Sequence, residues 1–165
     1  MIAIRETVPA DLDFVLELEY SPAAVPYIGV WTREQHLDAI DSLSMDHLMI
    51  EAAGEPAGYA IYLDLDHPHG SLQLKRIVVS RRGEGIGRAA MELIVERGFA
   101  VHGAHRVWLD MVTSNEAARR TYEALGFVEE GVLREVWRNE EGRQSLSVMS
   151  ILDREWDARR EGEHA

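Results

Sequence analysis

A chain of 165 residues is long enough for one compact domain with a real core and too short for two ordinary ones. Its 46% apolar and 28% charged residues are the balance of a soluble globular protein, and a formal net charge of −12 disfavours nucleic acid and anionic membranes as partners. The absence of cysteine excludes disulfides, thiolate metal sites and a cysteine nucleophile.

The first residues lack a basic segment followed by an apolar stretch, so they do not read as a signal peptide. No apolar run approaches the roughly 20 residues that span a bilayer, and a cytoplasmic protein is the expectation. Ile2 and Ile4 alternate with Ala3 and Arg5, which predicts a first strand. Pro9 opens a helix to about Glu19, with Leu12, Val15 and Leu16 at helical spacing. Residues 21–30 are broken by Pro22, Pro26 and Gly29. Thr32 and Gln35 fit a capping box for a second helix to about Leu43.

Strands over 47–52 and 57–64 flank a turn at Gly54, Glu55 and Pro56. After a loop over 66–70, a third apolar strand runs to Ser80 and a long helix runs from Gly85 to about Val101. A strand over 106–112 leads to a helix that opens in capping-box form at Thr113 and Glu116 and ends at Gly126. Strands over 127–138 and 143–152 close the chain as a hairpin. The expected architecture is one α/β (α+β) domain over 1–156, with about seven mostly antiparallel strands in a mixed sheet and about four helices. A charged, frayed tail over 157–165 follows.

Where strand passes into helix, the chain reads Arg82, Gly83, Glu84, Gly85, Ile86, Gly87. Glycines let the backbone turn tightly and let a ligand approach main-chain N–H groups. Those groups and the helix dipole make an anion site, and Arg81, Arg82 and Arg88 reverse the acidic charge of the chain locally. A Walker loop is excluded, because no lysine followed by serine or threonine is present. The spacing and the mid-chain position also differ from a Rossmann opening unit. A turn of this kind names an anion and nothing finer.

One crossover later, Asn115, Ala118, Arg119 and Tyr122 share a helix face, with Gly126 and Phe127 after them. With both motifs in this order, the chain resembles the GNAT superfamily of N-acetyltransferases, most closely its branch of ribosomal-protein alanine acetyltransferases and related small-molecule enzymes. The resemblance runs from about Ile2 to Leu152 and is strongest over 72–127. It implies a GNAT-like sheet with splayed central strands and acetyl-CoA as the acetyl donor. It also implies an amine acceptor, either a small molecule or a protein amino terminus.

Residue by residue, the resemblance implies that main-chain groups of Ile77, Val78 and Val79 pair with the pantetheine arm. The amides of Arg82, Gly83, Glu84, Gly85, Ile86, Gly87 and Arg88 would hold the pyrophosphate. Asn115, with Ala118 and Arg119 on its helix face, would contact the coenzyme arm, and Tyr122 would lie beside the thioester sulfur. A phenol can protonate a leaving thiolate, so Tyr122 is the candidate acid, and a backbone N–H near Val78 is the candidate oxyanion donor.

Parity adds to this. Leu72 and Leu74 share one phase while Ile77 and Val79 share the other, which predicts a β-bulge around Lys75 and Arg76 that splays the strand from 106–112. Many GNAT members carry a glutamate base on this strand, where Gln73 stands here and cannot act as one. The amine proton is then lost through water or to another carboxylate; Glu51, Asp64, Asp110 and Glu135 are on or near strands, with no choice among them, and each taken singly reads better as a solvated surface carboxylate. Tyr27 and Trp31 are the aromatics of the segment that covers substrate in this family; the other reading of both is a core anchor, and for Trp31 the two readings stand equal. Tyr59, Tyr62 and Trp108 read as packing residues. His67 and His69 beside Asp66 lack a wider ligand set, so no metal is expected. The rival reading is a non-catalytic acyl-CoA-binding or sensing module, against which Tyr122 argues. A homodimer is left open.

Overall fold

The computed structural model describes residues 1–163. Seven strands form one sheet in the order β1-β2-β3-β4-β5-β7-β6, and every neighbouring pair is antiparallel except β4 with β5. The strands are β1 (Ile2–Glu6), β2 (Asp46–Ala52), β3 (Glu55–Leu63), β4 (Ser71–Val79), β5 (Arg106–Val112), β6 (Val128–Asn139) and β7 (Gly142–Leu152).

Five helices cover the two faces: α1 (Leu12–Glu19), α2 (Arg33–Asp41), α3 (Ile86–Ala100), α4 (Glu116–Ala124) and α5 (Asp153–Glu163). The fifth corrects the expected frayed tail over residues 157–163; residues 164–165 of that tail lie outside the described residues. The charged sequence of α5 hides one anchor, Trp156, which is 3% exposed and donates its ring N–H to Glu96 at 2.7 Å.

Local chemistry explains most boundaries. Thr32 Oγ1 accepts the Gln35 N–H at 3.2 Å and Gln35 Oε1 accepts the Thr32 N–H at 2.8 Å, a capping box of the kind that contributes about 1 kcal/mol. For α4 the cap is Asn115 rather than Thr113, because the Asn115 carboxamide accepts the Ala118 N–H at 3.3 Å. The β2–β3 turn is Ala53 and Gly54, both at positive φ, one step earlier than the glycine–proline pattern suggests. Pro9 starts a short 3₁₀ turn that runs into α1.

Strand β4 is the hinge of the design. Its register against β3 slips between Ile61 and Tyr62, so Lys75 is the extra residue of a bulge. Burial alternates along β4 without a break, yet the faces exchange. Leu72 and Leu74 belong to the core under α3, α4 and α5, whereas Val78 belongs to the core under α1 and α2. Ile77 and Val79 pack against the first core, as a one-residue shift requires. Beyond the bulge β4 leaves β5: the two pair only over Ser71–Gln73 with Arg106–Trp108.

Candidate active site

The splay opens a cavity of about 650 Å³ between β4 and β5. Its walls come from β4, the turn before α3, α4 and residues 24–31.

Strand register determines which backbone groups face the gap. The Ser80 N–H donates to Ala57 O at 2.8 Å, and residues of a strand alternate in direction. Val78, two residues back and opposite Tyr59, therefore directs its N–H and C=O at β3. Ile77 and Val79 direct theirs at the open side, where β5 supplies no partner. This corrects the expectation for Val78, whose amide belongs to the ladder and is not free for an oxyanion. The sequence parity marked the bulge but did not say which phase carried the free amides.

The phosphate turn has the shape its glycines suggest. Gly83 and Gly85 have φ of +83° and +76°, and Gly85 is the N-cap of α3. A Cβ on either would meet no protein atom within 4 Å, so both face the open cavity. The amides of Ile86, Gly87 and Arg88 lie in the first turn of α3, where a helix leaves N–H groups without partners. Arg81, Arg82 and Arg88 line the same cavity and add positive charge. These residues fit a pyrophosphate.

Not every expected contact residue reaches the cavity by its side chain. The Ile86 side chain is 5% exposed and packs in the core. Glu84 lies outside the cavity, 3.7 Å from Arg81. Arg119 turns away to Glu129 and to Ser147, whose hydroxyl it reaches at 2.8 Å. Helical spacing put Arg119 on the right helix but could not foresee its partners on β6 and β7. Asn115, Ala118 and Tyr122 do line the cavity.

Tyr122 is 9% exposed with its ring 5.8 Å from Phe127. Burial, with the charge of Asp110 added, pushes its phenol up to about 12, so it stays protonated at neutral pH. Among the four carboxylates left open by the sequence, Asp110 alone lines the cavity. Burial holds its carboxyl above the usual range, and Lys75 opposes that. Glu51 is bound to Arg5 at 2.7 Å, and Asp64 and Glu135 sit at positive φ elsewhere. Nothing in the sequence separated these four, because the choice depends on which strand borders the gap.

The acceptor side is made of Tyr27, Trp31 and Trp137. Tyr27 lies 5.8 Å from the Arg82 guanidinium, which also donates to Ala23 O at 2.5 Å. Trp31 stacks on Arg76 at 4.9 Å. Trp137 was missed, since β6 gave no sign of reaching back to the cavity. Away from the cavity, Tyr59 and Tyr62 are fully buried packing residues, and His67 Nδ1 accepts the His69 N–H within its loop. No helix among the described residues is long and apolar enough to cross a membrane.

The sequence pattern of the acetyltransferase (GNAT) family matches residues 13–127. The spermidine N(1)-acetyltransferase of Escherichia coli (strain K12) is 26% identical over 143 residues, covering 80% of this chain and 75% of that protein. The [ribosomal protein bS18]-alanine N-acetyltransferase of the same strain is 32% identical over 68 residues, 41% of this chain and 45% of that protein. The likeness to the alanine acetyltransferases is thus real but partial, and the likeness to the spermidine enzyme spans twice as much of the chain. Among solved structures, a spermidine N-acetyltransferase from Vibrio cholerae in complex with CoA and spermine has the same fold. Its TM-score is 0.85 at 22% identity, covering 94% of this chain and 97% of that one.

Proposed function

Since the chain belongs to the acetyltransferase (GNAT) family, we propose that its acceptor is a small aliphatic amine, with Asp110 taking the amine proton and Tyr122 serving the leaving sulfur. The protein is an acetyl-CoA-dependent N-acetyltransferase that passes the acetyl group directly to an amine. One observation carries the assignment of roles: Asp110 and Tyr122 flank the same splay onto which Ile77 and Val79 present free backbone groups.

In this reading pantetheine pairs with the open edge of β4, and the phosphates sit on the α3 turn. The amine nitrogen attacks the thioester carbonyl carbon and gives a proton to Asp110. The carbonyl oxygen gathers charge and accepts from a gap-facing amide, for which Ile77, nearest the bulge, is assigned. The carbon–sulfur bond then breaks, and the Tyr122 hydroxyl donates to the departing sulfur. The proton given by Tyr122 is balanced by the one Asp110 takes. In sum, one proton moves from nitrogen to sulfur.

Two further facts support a small amine. The longer likeness is to an enzyme named for spermidine. A chain of net charge −12 draws a cation toward its surface, and Asp110 is the one carboxylate among the described residues lining the cavity. The test is thiol release from acetyl-CoA with spermidine and, separately, with a peptide bearing amino-terminal alanine. Turnover on spermidine is expected. Turnover on the peptide alone would favour a protein terminus instead. With the better acceptor, Asp110→Asn should lower kcat by about 10²-fold and abolish the acidic limb of the rate profile. An unchanged limb would remove Asp110 from the role.

A further inference from the structure

The chemistry above makes no use of the most deeply buried carboxylate. Glu19, the last residue of α1, is 0% exposed. A buried anion is costly unless paired and hydrogen-bonded, and Glu19 is both. Its Oε2 accepts the backbone N–H of Trp31 at 2.7 Å, and its Oε1 accepts the Tyr59 hydroxyl at 2.7 Å and the Arg76 guanidinium. His36 Nε2 lies 3.3 Å from the same oxygen, outside hydrogen-bonding alignment. Burial alone would raise its pKa, but the contacts with His36 and Tyr59 and the charge of Arg76 hold it below the ordinary range.

Two of these partners line the acceptor end of the cavity. Arg76 is the residue after the bulge, turned by it toward the α1–α2 face, and its guanidinium supports the Trp31 ring. Trp31 ends the irregular segment that follows α1. The carboxylate thus holds that segment by its main chain and the Trp31 ring by way of Arg76. Apolar groups of similar volume often stabilise such a site at least as well, so the charge is more than its own packing requires.

We propose that Glu19 is a positioning residue for the acceptor, fixing Trp31 and Arg76 as one wall of the cavity and so setting which amine fits beside the thioester. This rests on the transferase reading of the same cavity. Glu19 itself touches no substrate, since no part of it is exposed.

The probe is the better of spermidine and the alanine-terminated peptide, each with acetyl-CoA. Glu19→Gln should raise the acceptor KM by about tenfold or more while the acetyl-CoA KM stays within about twofold. Removing one partner of a buried pair can unfold a protein, so Glu19→Gln/Arg76→Met is the second variant. It removes the unpaired charge and should recover melting temperature, yet keep the raised acceptor KM. If both KM values rise together, or the double variant restores the acceptor KM, Glu19 is structural only and the proposal falls. A wild type that releases no thiol with any amine would overturn the transferase reading, and this inference with it. A wild type that turns over, with variants that show no acceptor-selective change, overturns the inference alone.

Discussion

The two ends of the cavity are built by different means. The donor end is a run of neighbours: gap-facing backbone of Ile77 and Val79, then the glycine turn, then the first amides of α3. The acceptor end is gathered from far apart in the chain, with Trp31 before α2, Arg76 on β4, Asp110 on β5 and Trp137 on β6. Backbone geometry does the work at one end and side-chain contacts at the other. The difference predicts that substitutions at the two ends fail differently.

The largest effect belongs where the ends meet. Tyr122→Phe keeps the ring in its packing with Phe127 and removes only the hydroxyl. Turnover should fall by about 10²- to 10⁴-fold, with the stabilisation by acetyl-CoA in a thermal melt intact. Turnover within about threefold of wild type would assign the sulfur's donor elsewhere. A smaller effect, confined to the donor end, is expected of Gly85→Ala. A Cβ at φ +76° costs about 1–2 kcal/mol and projects into the cradle, so the acetyl-CoA KM should rise about tenfold while the acceptor KM holds. Gly103→Ala is the control: its φ of +63° imposes similar strain outside the cavity, so it should lower the melting temperature and leave both KM values alone. Equal changes in both variants would mean that strain, not the cradle, is being measured.

The same contrast explains what the sequence disclosed. Elements and the donor end were legible because their signals are local: alternation, the Thr32 capping box, glycines at fixed spacing, and the change of parity around Lys75 that is the bulge. What escaped reading depends on distant partners. Arg119 was assigned to the coenzyme by its helix face and is instead drawn to Glu129 and Ser147. Val78 was assigned a free amide that its register against Tyr59 consumes. Residues 157–163 of the tail continue α5, which the buried Trp156 just before them anchors. Asp110 could not be told from three other carboxylates until the splay showed which strand borders the cavity.

The acceptor side also carries a weakness to acid, the smallest effect and the one that separates the two regions without any ligand. Its core contains a chain of buried polar groups: the Thr7 hydroxyl lies 2.8 Å from His47 Nδ1, and His47 Nε2 lies 3.0 Å from His36 Nδ1. Burial first, then the nearby positive charges of His36 and Arg76, push His47 down to about 4 from an ordinary 6.5. A histidine with a depressed folded pKa contributes stability that is complete above 6.5 and lost as pH falls toward 4, because only the unfolded chain takes up the proton in that window. The shift corresponds to about 3 kcal/mol. Acidification from pH 7 to 5 should therefore lower hydrogen-exchange protection, taken relative to the intrinsic exchange rate at each pH, in α1 and α2, which pack on this side, before α3. In His47→Asn, less stable at pH 7, the loss of stability on acidification should be shallower. Protection lost equally in α2 and α3, or a variant with the wild-type slope, would show that the acceptor side has no acid weakness of its own.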